Sequence, residues 1–414
     1  MTNSNAFDVV TVGGGMGASA LAMAMARGGA RVLVLEKETK FRDRVRGEAL
    51  TPWGVAEARK LGIADLLLET CAKAIPWVEM GFGPRNLLDT TPQKEPFYSY
   101  SHPEMQEVLL AEAERAGAQV RRGVTVEAIE PRGDSPGTAG ANHTTVTARK
   151  QTPEQPTEKI AARLVVGVDG RGSAVRRWGG FDVEKSPLAF QFAGVQLTGV
   201  RWREDLAAFI FNPELGMVVG MVPQTKGRWR SYLGYPNRDG ARAGVTLEGN
   251  DKLKTFVAES ARAVPVLADA YAKVESIGPL ASFDVSESWV RHPYHNGVAL
   301  LGDAAGTSDP SFGQGMGTTL RDVRVLGDAL LTNTSWDDAG NAYAREHDSY
   351  FQNCHKVCGW LRTLFQDPSA EAAALRQRAM PRIVEDVTRV PDHLFSGPDL
   401  PADESVRARF FGEC

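Results

Sequence analysis

The feature that most constrains this chain lies near its start. Phe7-Asp8-Val9-Val10-Thr11-Val12 is apolar and β-branched, as suits a strand buried on both faces. Gly13-Gly14-Gly15-Met16-Gly17-Ala18 follows, and the Ala/Met/Leu-rich stretch from Ser19 to Arg27 predicts a helix stopped by Gly28-Gly29. Arg31 to Glu36 then reads as a second strand. Strand, helix and strand make a βαβ unit with two parallel strands and a right-handed crossover. Inside it, Gly13-x-Gly15-x-x-Ala18 has the chemistry of a pyrophosphate turn. The first glycine permits the tight turn, the second lets backbone approach the phosphates, and the small third residue lets helix pack on strand. The helix N-terminus favours an anion. Glu36 follows about 20 residues on, where an acid accepts hydrogen bonds from ribose hydroxyls. Gly13, Gly14, Gly15, Met16, Gly17, Ala18, Glu36 and Lys37 are therefore the first candidate dinucleotide contacts.

Two later clusters repeat the strand-then-glycine pattern. Asp169-Gly170-Arg171-Gly172-Ser173-Ala174-Val175-Arg176 follows the apolar run Leu164–Val168, and Gly302-Asp303-Ala304-Ala305 follows Gly297–Leu301. The second continues to Pro310 and then Gly313-Gln314-Gly315-Met316-Gly317 at the start of a long helix, read as Gln314 to Leu331. An Asp at a strand's carboxyl end can hold a ribityl hydroxyl, and a glycine-opened helix start favours negative charge on a ligand. Each cluster alone is also compatible with a tight strand–helix turn.

Between these landmarks, Pro103 to Ala116 predicts a helix with Met105, Val108, Leu109 and Ala113 on one stripe. Gln119 to Ile129 predicts a strand, and polar residues 131–159 a hairpin connection with an exposed, mobile tip. From about Pro187 the pattern changes. Phe190–Leu197, Ala207–Phe211, Met217–Val222 and Arg228–Tyr235 are short strand-like runs separated by turn residues, which predicts an antiparallel meander of three or four strands. Asn250 to Tyr271 reads as helical. Phe209, Phe211, Met217, Val219 and Met221 alternate along the strands and suggest an apolar wall for a ligand, although core packing accounts for any one of them. Tyr232 and Tyr235 could hydrogen-bond a phenol. No catalytic side chain is identifiable.

Composition narrows the function classes. The chain has 414 residues, 47 Lys+Arg, 51 Asp+Glu and a net charge of −4, which argues against a dedicated nucleic-acid binder. No basic region precedes the first apolar stretch, which argues against a secretory signal. No run of about 20 apolar residues suggests membrane insertion. Cys71, Cys354, Cys358 and Cys414 are expected as ordinary reduced thiols of a cytoplasmic protein, with no metal site.

In these motifs, in this order, the chain resembles the single-component class A flavoprotein monooxygenases, the p-hydroxybenzoate hydroxylase-like family. The resemblance covers about residues 1–330 and includes Arg46-Gly47-x-x-Leu50-x-Pro52 and the helix pattern Met105, Leu109, Ala113, Gly117. It implies a Rossmann-like FAD-binding α/β domain (1–75, 102–185 and 280–365), an inserted antiparallel sheet domain for substrate (76–101 and 186–279), and a C-terminal helical segment (366–414). It further implies that Arg46 contacts FAD, that Val126 offers backbone to adenine, and that Asp169 and Gly170 serve FAD and the approach of NADH or NADPH. Asp303 would serve the ribityl chain, and Pro310 to Gly317 the isoalloxazine. The implied reaction is hydroxylation or epoxidation of an apolar aromatic or polycyclic small molecule by O2 through a flavin C4a-hydroperoxide. No second nucleotide-binding unit is visible for NAD(P)H, and a homodimer is left open.

Three positions depart from the family pattern. His102 stands where Arg or Gln usually contacts FAD, Gly306 where His is common, and Gly317 where Asn is common. Gly306 to Pro310 is therefore also similar to geranylgeranyl reductases and flavin halogenases, though the halogenase Trp-x-Trp-x-x-Pro signature is absent. A non-enzymatic relative that has lost its flavin is disfavoured by the intact glycine motifs with Glu36 and Asp303.

Overall fold

The computed structural model describes residues 6–45, 47–133, 143–151, 156–187, 190–236, 247 and 249–414. The apolar runs become the centre of one sheet. Val298–Leu300, Glu158–Gly167, Ala6–Val12, Val32–Glu36 and Gln119–Arg122 lie side by side in that order, all parallel. Both faces are covered, which is why these strands lack polar alternation. Val9, Val32, Val34, Leu164 and Val166 pack against the helices Met16–Arg27, His102–Arg115 and Gly315–Thr332. Val10, Val12, Leu33, Leu35 and Val165 face the opposite way. There they meet Val124–Glu130 and Thr144–Lys150, which form an antiparallel meander with the first half of Glu158–Gly167.

That meander revises the reading of 119–159. Gly123 divides the expected single strand into Gln119–Arg122 and Val124–Glu130, and residues 144–150 are strand rather than connection. Residues 134–142 and 152–155, where the mobile tip was expected, lie outside the described residues.

Among the described residues the second sheet has eight strands: the four expected runs form its centre, extended by Trp77–Glu79, Arg85–Asn86, Glu275–Ser276 and Ala281–Asp284. Phe190–Thr198 pairs with Trp229–Pro236, which pairs with Met217–Pro223, which pairs with Leu206–Asn212, all antiparallel. Leu206–Ala208 then runs parallel to Trp77–Glu79, so the sheet is mixed at that edge. Ala281–Asp284 adds to the other side. The helix expected over 250–271 is interrupted: Leu253–Ala263 is α-helical, and Pro265–Tyr271 is a tighter 3₁₀ turn. Val264 precedes a proline, which disfavours helical backbone there.

The C-terminal part is helical, led by the 30-residue helix Trp336–Phe365. Residues from this part, including Leu361, Phe365, Leu394 and Phe410, close a core with Phe97, Ala207 and Val222 of the sheets. Among the described residues, no helix is long and apolar enough to cross a membrane, and no group of three or more His, Cys, Asp or Glu could hold a metal ion.

Candidate functional site

A cavity of about 820 Å³ begins at the carboxyl ends of the parallel strands and reaches the second sheet. Its first wall is the opening glycine turn. Gly13 has φ +102°, and its N–H donates to the Leu35 carbonyl at 2.8 Å. The following helix starts at Met16, not Ser19 as the composition suggested. Its first turn therefore consists of the glycine cluster itself, and its unpaired N–H groups stand at the cavity, as an anion site requires. Gly13, Gly15, Met16 and Gly17 line the cavity. Ala18 is fully buried and packs the helix.

Glu36 lines the same end. One carboxylate oxygen accepts from the Gly14 N–H at 2.6 Å and the other from the Glu38 N–H at 2.7 Å. The acid is thus held in place by the turn it faces, with lone pairs left for hydroxyl donors. Gly14 is at the back of this arrangement, because a Cβ there would lie 2.9 Å from the Glu36 Cβ. Lys37 and Val126 also line the cavity.

The second and third motifs meet across it. Asp169, Gly170, Gly302 and Asp303 are lining residues. Asp169 Oδ2 accepts from the N–H groups of Ala174 (2.7 Å) and Val175 (3.3 Å), so the carboxylate also caps the short helix Val175–Trp178. Buried Arg176 ties the two motifs together, donating to the carbonyls of Asp303 and Ala304 at 2.6 Å each. The Gly302 N–H is held at 2.7 Å by Asp322, which is fully buried and whose other oxygen accepts from His347 Nδ1 at 2.9 Å and from the Tyr350 hydroxyl. Arg176 closes the second motif in the sequence, but its link to the third is not legible there, and Asp322 carries no sequence signal, since the partners they hold lie in other elements.

The third wall is Asp309 to Met316. Gly313 has φ +62°, a left-handed turn that glycine adopts without strain. Pro310, Gly313, Gly315 and Met316 line the cavity. Behind them, buried Asp309 accepts from the Ser311 N–H at 2.9 Å and from Arg362 Nε at 3.0 Å, and Arg362 also pairs with buried Glu287 at 2.8 Å. Gln314 does not face the cavity: it is buried and donates to the Phe312 carbonyl at 2.9 Å. Gly317 packs under Trp53, whose ring would lie 2.6 Å from a Cβ. Gly306 similarly lies under Phe351, 2.5 Å from a Cβ. Both departures from the family pattern thus have a packing cause: a larger side chain would not fit. His102 lines the cavity at the start of its helix, and its Nδ1–H donates to the Gly47 carbonyl. Arg46 lies outside the described residues.

The fourth wall is the second sheet. Here alternation misled about which face is which. Phe209 lines the cavity opposite Gly220, and Val218 and Val222 of the facing strand line it too. Met217, Val219 and Met221 point to the opposite face and pack with Phe256 and Ala263 of helix Leu253–Ala263. Phe211 is on the cavity face but stacks against Phe312, with ring centroids 5.8 Å apart and planes at 17°. Tyr235 is buried in the opposite core, where its hydroxyl is 3.5 Å from Ser282 Oγ. The phenylalanine lining comes from the expected Phe209 together with Phe41, Phe97, Phe192, Phe283, Phe312 and Phe395.

One polar corner breaks this apolar wall. The Tyr232 hydroxyl donates to Glu48 Oε2, and both residues line the cavity. Beneath them Arg230, 1% exposed, has its Nη2 2.7 Å from Asp43 Oδ2 and 3.2 Å from Glu48 Oε1. The first contact has hydrogen-bond geometry and the second is charge attraction alone, since Glu48 Oε1 has no hydrogen-bond partner. Burial raises the Glu48 carboxyl above its ordinary range, against the pull of Arg230. Burial and the Glu48 charge hold the Tyr232 phenol well above its own range, so it is a neutral donor. The loop supplying both acids carries Val45 at φ +58°. This left-handed conformation is unusual for a β-branched residue and persists only where surroundings over-determine it.

The FAD binding domain family matches residues 6–361. Rifampicin monooxygenase from Streptomyces venezuelae is 28% identical over 401 residues, covering 92% of this chain and 75% of the relative. Aklavinone 12-hydroxylase from Streptomyces peucetius is 25% identical, covering 76% and 65%. Digeranylgeranylglycerophospholipid reductase 2 from Methanopyrus kandleri is 24% identical, covering 57% and 59%. Among solved structures, p-nitrophenol 4-monooxygenase from Pseudomonas putida superposes with a TM-score of 0.76 at 18% identity, covering 94% of this chain and 97% of that one. A flavin-dependent brominase gives 0.73 at 15% identity, covering 95% and 96%.

Proposed function

The chain belongs to the class A FAD-dependent monooxygenases, and from that premise we propose that it hydroxylates or epoxidises an apolar aromatic or polycyclic small molecule, with electrons from NADH or NADPH. The observation that carries this reading is the continuity of the cavity, from the glycine turns to a chamber walled by Phe192, Phe209, Phe283 and Phe312. The residues present fit FAD. Thr51 Oγ1, Asp169 Oδ1 and Ser308 Oγ belong to cavity-lining residues, are buried, and have no protein partner, so a polar ligand satisfies them. Gly13, Gly15, Met16 and Gly17 would hold the pyrophosphate, Glu36 the adenosine ribose, and Asp303 the ribityl chain.

Bound FAD, once reduced, supplies the activation of O2; the protein supplies position, dryness and electrostatics. The start of helix Gly315–Thr332 presents N–H groups and a positive dipole end to the cavity, which favours negative charge on the group bound there. Phe209, Phe312 and Val218 keep the chamber apolar and exclude water. His102 and Met316 border the same space and limit how a ring can lie in it.

Two substitutions test the cofactor contacts. Glu36→Ala removes a carboxylate that both orients the turn and faces the ribose. Asp303→Ala removes a carboxylate beside Gly315, where a Cβ would lie 3.8 Å from its Oδ1. A hydrogen bond to a charged group is worth ~1.5–3 kcal/mol, so each variant should bind FAD roughly tenfold to a hundredfold more weakly. Fluorescence titration of the apoprotein measures this, and an unchanged dissociation constant refutes the role. The reaction itself is tested with labelled O2 against aromatic and polycyclic libraries. Product that gains no label, while NAD(P)H is consumed and a double bond is saturated, replaces oxygenation with the reductase reading.

A further inference from the structure

We propose that Glu48 and Tyr232 form a substrate-reading corner that accepts a hydrogen bond from a neutral hydroxyl or amino group on an aromatic ligand and rejects aromatic carboxylates. The inference rests on the reading of the chamber as the substrate site, and deepens it by stating which polar substituent the chamber recognises.

The Tyr232 proton is already committed to Glu48, so the phenolic oxygen offers a ligand only lone pairs. Glu48 is 3% exposed, lines the cavity, and its Oε1 accepts no hydrogen bond. Arg230 Nε and Nη1 also have no hydrogen-bond partner, but Arg230 does not line the cavity, so on the cavity side the corner holds acceptors in need of a donor, and a buried acceptor left without one carries a desolvation penalty. Its charge points the same way. One guanidinium, Arg230, lies against two carboxylates, Asp43 and Glu48, so a single positive charge is shared between two acids. Arg171, which borders the cavity near this sheet, is engaged with the carbonyls of Asp284 and Ser286. An entering carboxylate would meet Glu48 in a poorly solvated place, where like charges repel strongly.

Shape supports a flat ligand reaching this corner. Phe192 meets Tyr232 edge-on, with centroids 6.0 Å apart, and stacks on Phe283 at 6.0 Å. Gly220 separates Phe209 from Tyr232, and a Cβ there would touch both at 3.4 Å. The strand thus lacks a side chain where the apolar wall turns polar.

The test uses the FAD-loaded protein and three probes sharing one ring system: 2-naphthol, 2-methoxynaphthalene and 2-naphthoate, with binding measured by calorimetry. Wild type should bind 2-naphthol roughly tenfold to a hundredfold more tightly than 2-methoxynaphthalene, and 2-naphthoate most weakly. Tyr232→Phe should erase the preference for the hydroxyl. Glu48→Gln should relax the rejection of 2-naphthoate about tenfold or more while Arg230 keeps Asp43 as its partner. If a variant does not fold, the wild-type ranking alone decides. Naphthoate binding as tight as naphthol, absence of naphthol binding, or Tyr232→Phe with its preference intact overturns the proposal. Oxygen transfer is measured separately. Selective binding without label incorporation removes the hydroxylation reading and leaves the corner standing; label incorporation without selectivity does the reverse.

Discussion

Arg230→Met is expected to lower folding stability by about 3–5 kcal/mol, the cost of removing one partner from a buried ion cluster. Asp43 and Glu48 would be left facing each other without compensation, in a place where Arg230 is 1% exposed. Both acids lie on the loop that borders the cavity, and Arg230 lies on the sheet, so the substitution also frees one wall from another. Urea unfolding followed by circular dichroism reads the effect. The combination Arg230→Met with Asp43→Asn and Glu48→Gln should recover much of the loss, because neutral partners no longer require a cation. A single-variant loss below about 1 kcal/mol would mean that the cluster is solvated after all.

Gly13→Ala should be comparably severe, for a backbone reason. At φ +102° an alanine is strained, and its Cβ would lie 2.5 Å from the Val168 carbonyl oxygen, which is main chain and cannot swing aside. Left-handed backbone costs about 1–2 kcal/mol and overpacking about 1–3 kcal/mol, for a total of about 2–5 kcal/mol. Gly170→Ala is the control. It also has positive φ, but a Cβ there meets nothing within 4 Å, so only the conformational part, about 1–2 kcal/mol, should be lost. Melting temperature and flavin absorbance per protein compare the two. Equal losses would refute the steric part of the account.

The parts of this protein legible in sequence are those whose cause is local. The turn at Gly13, the acid at Glu36 and the strand before Asp303 each sit beside the residues that explain them. The sheet was harder. Its alternation was visible, but its phase was not: Phe209 faces the cavity while Met221 packs against Phe256, and both surroundings are apolar. A strand covered on both sides carries no polar face to set the phase. The Tyr232–Glu48 pair is separated by 184 positions, and no periodicity connects such residues. Phe395 was missed for the same reason, since only tertiary packing brings the C-terminal part to the chamber. Gly306 and Gly317 looked like changes in flavin chemistry and turned out to accommodate Phe351 and Trp53.

The cavity is bounded by Val12 near one end of the chain and by Leu394 and Phe395 near the other. A ribosome delivers these in that order. The parallel strands Ala6–Val12 and Val32–Glu36, which neighbour each other, can pair while synthesis continues, but the aromatic chamber lacks a wall until residue 395 has emerged. A nascent chain therefore carries a nucleotide turn long before it carries an enclosed reaction space. Dryness around the ring-binding end is thus acquired well after the nucleotide turn, and would be lost if residues 394–395 were to detach.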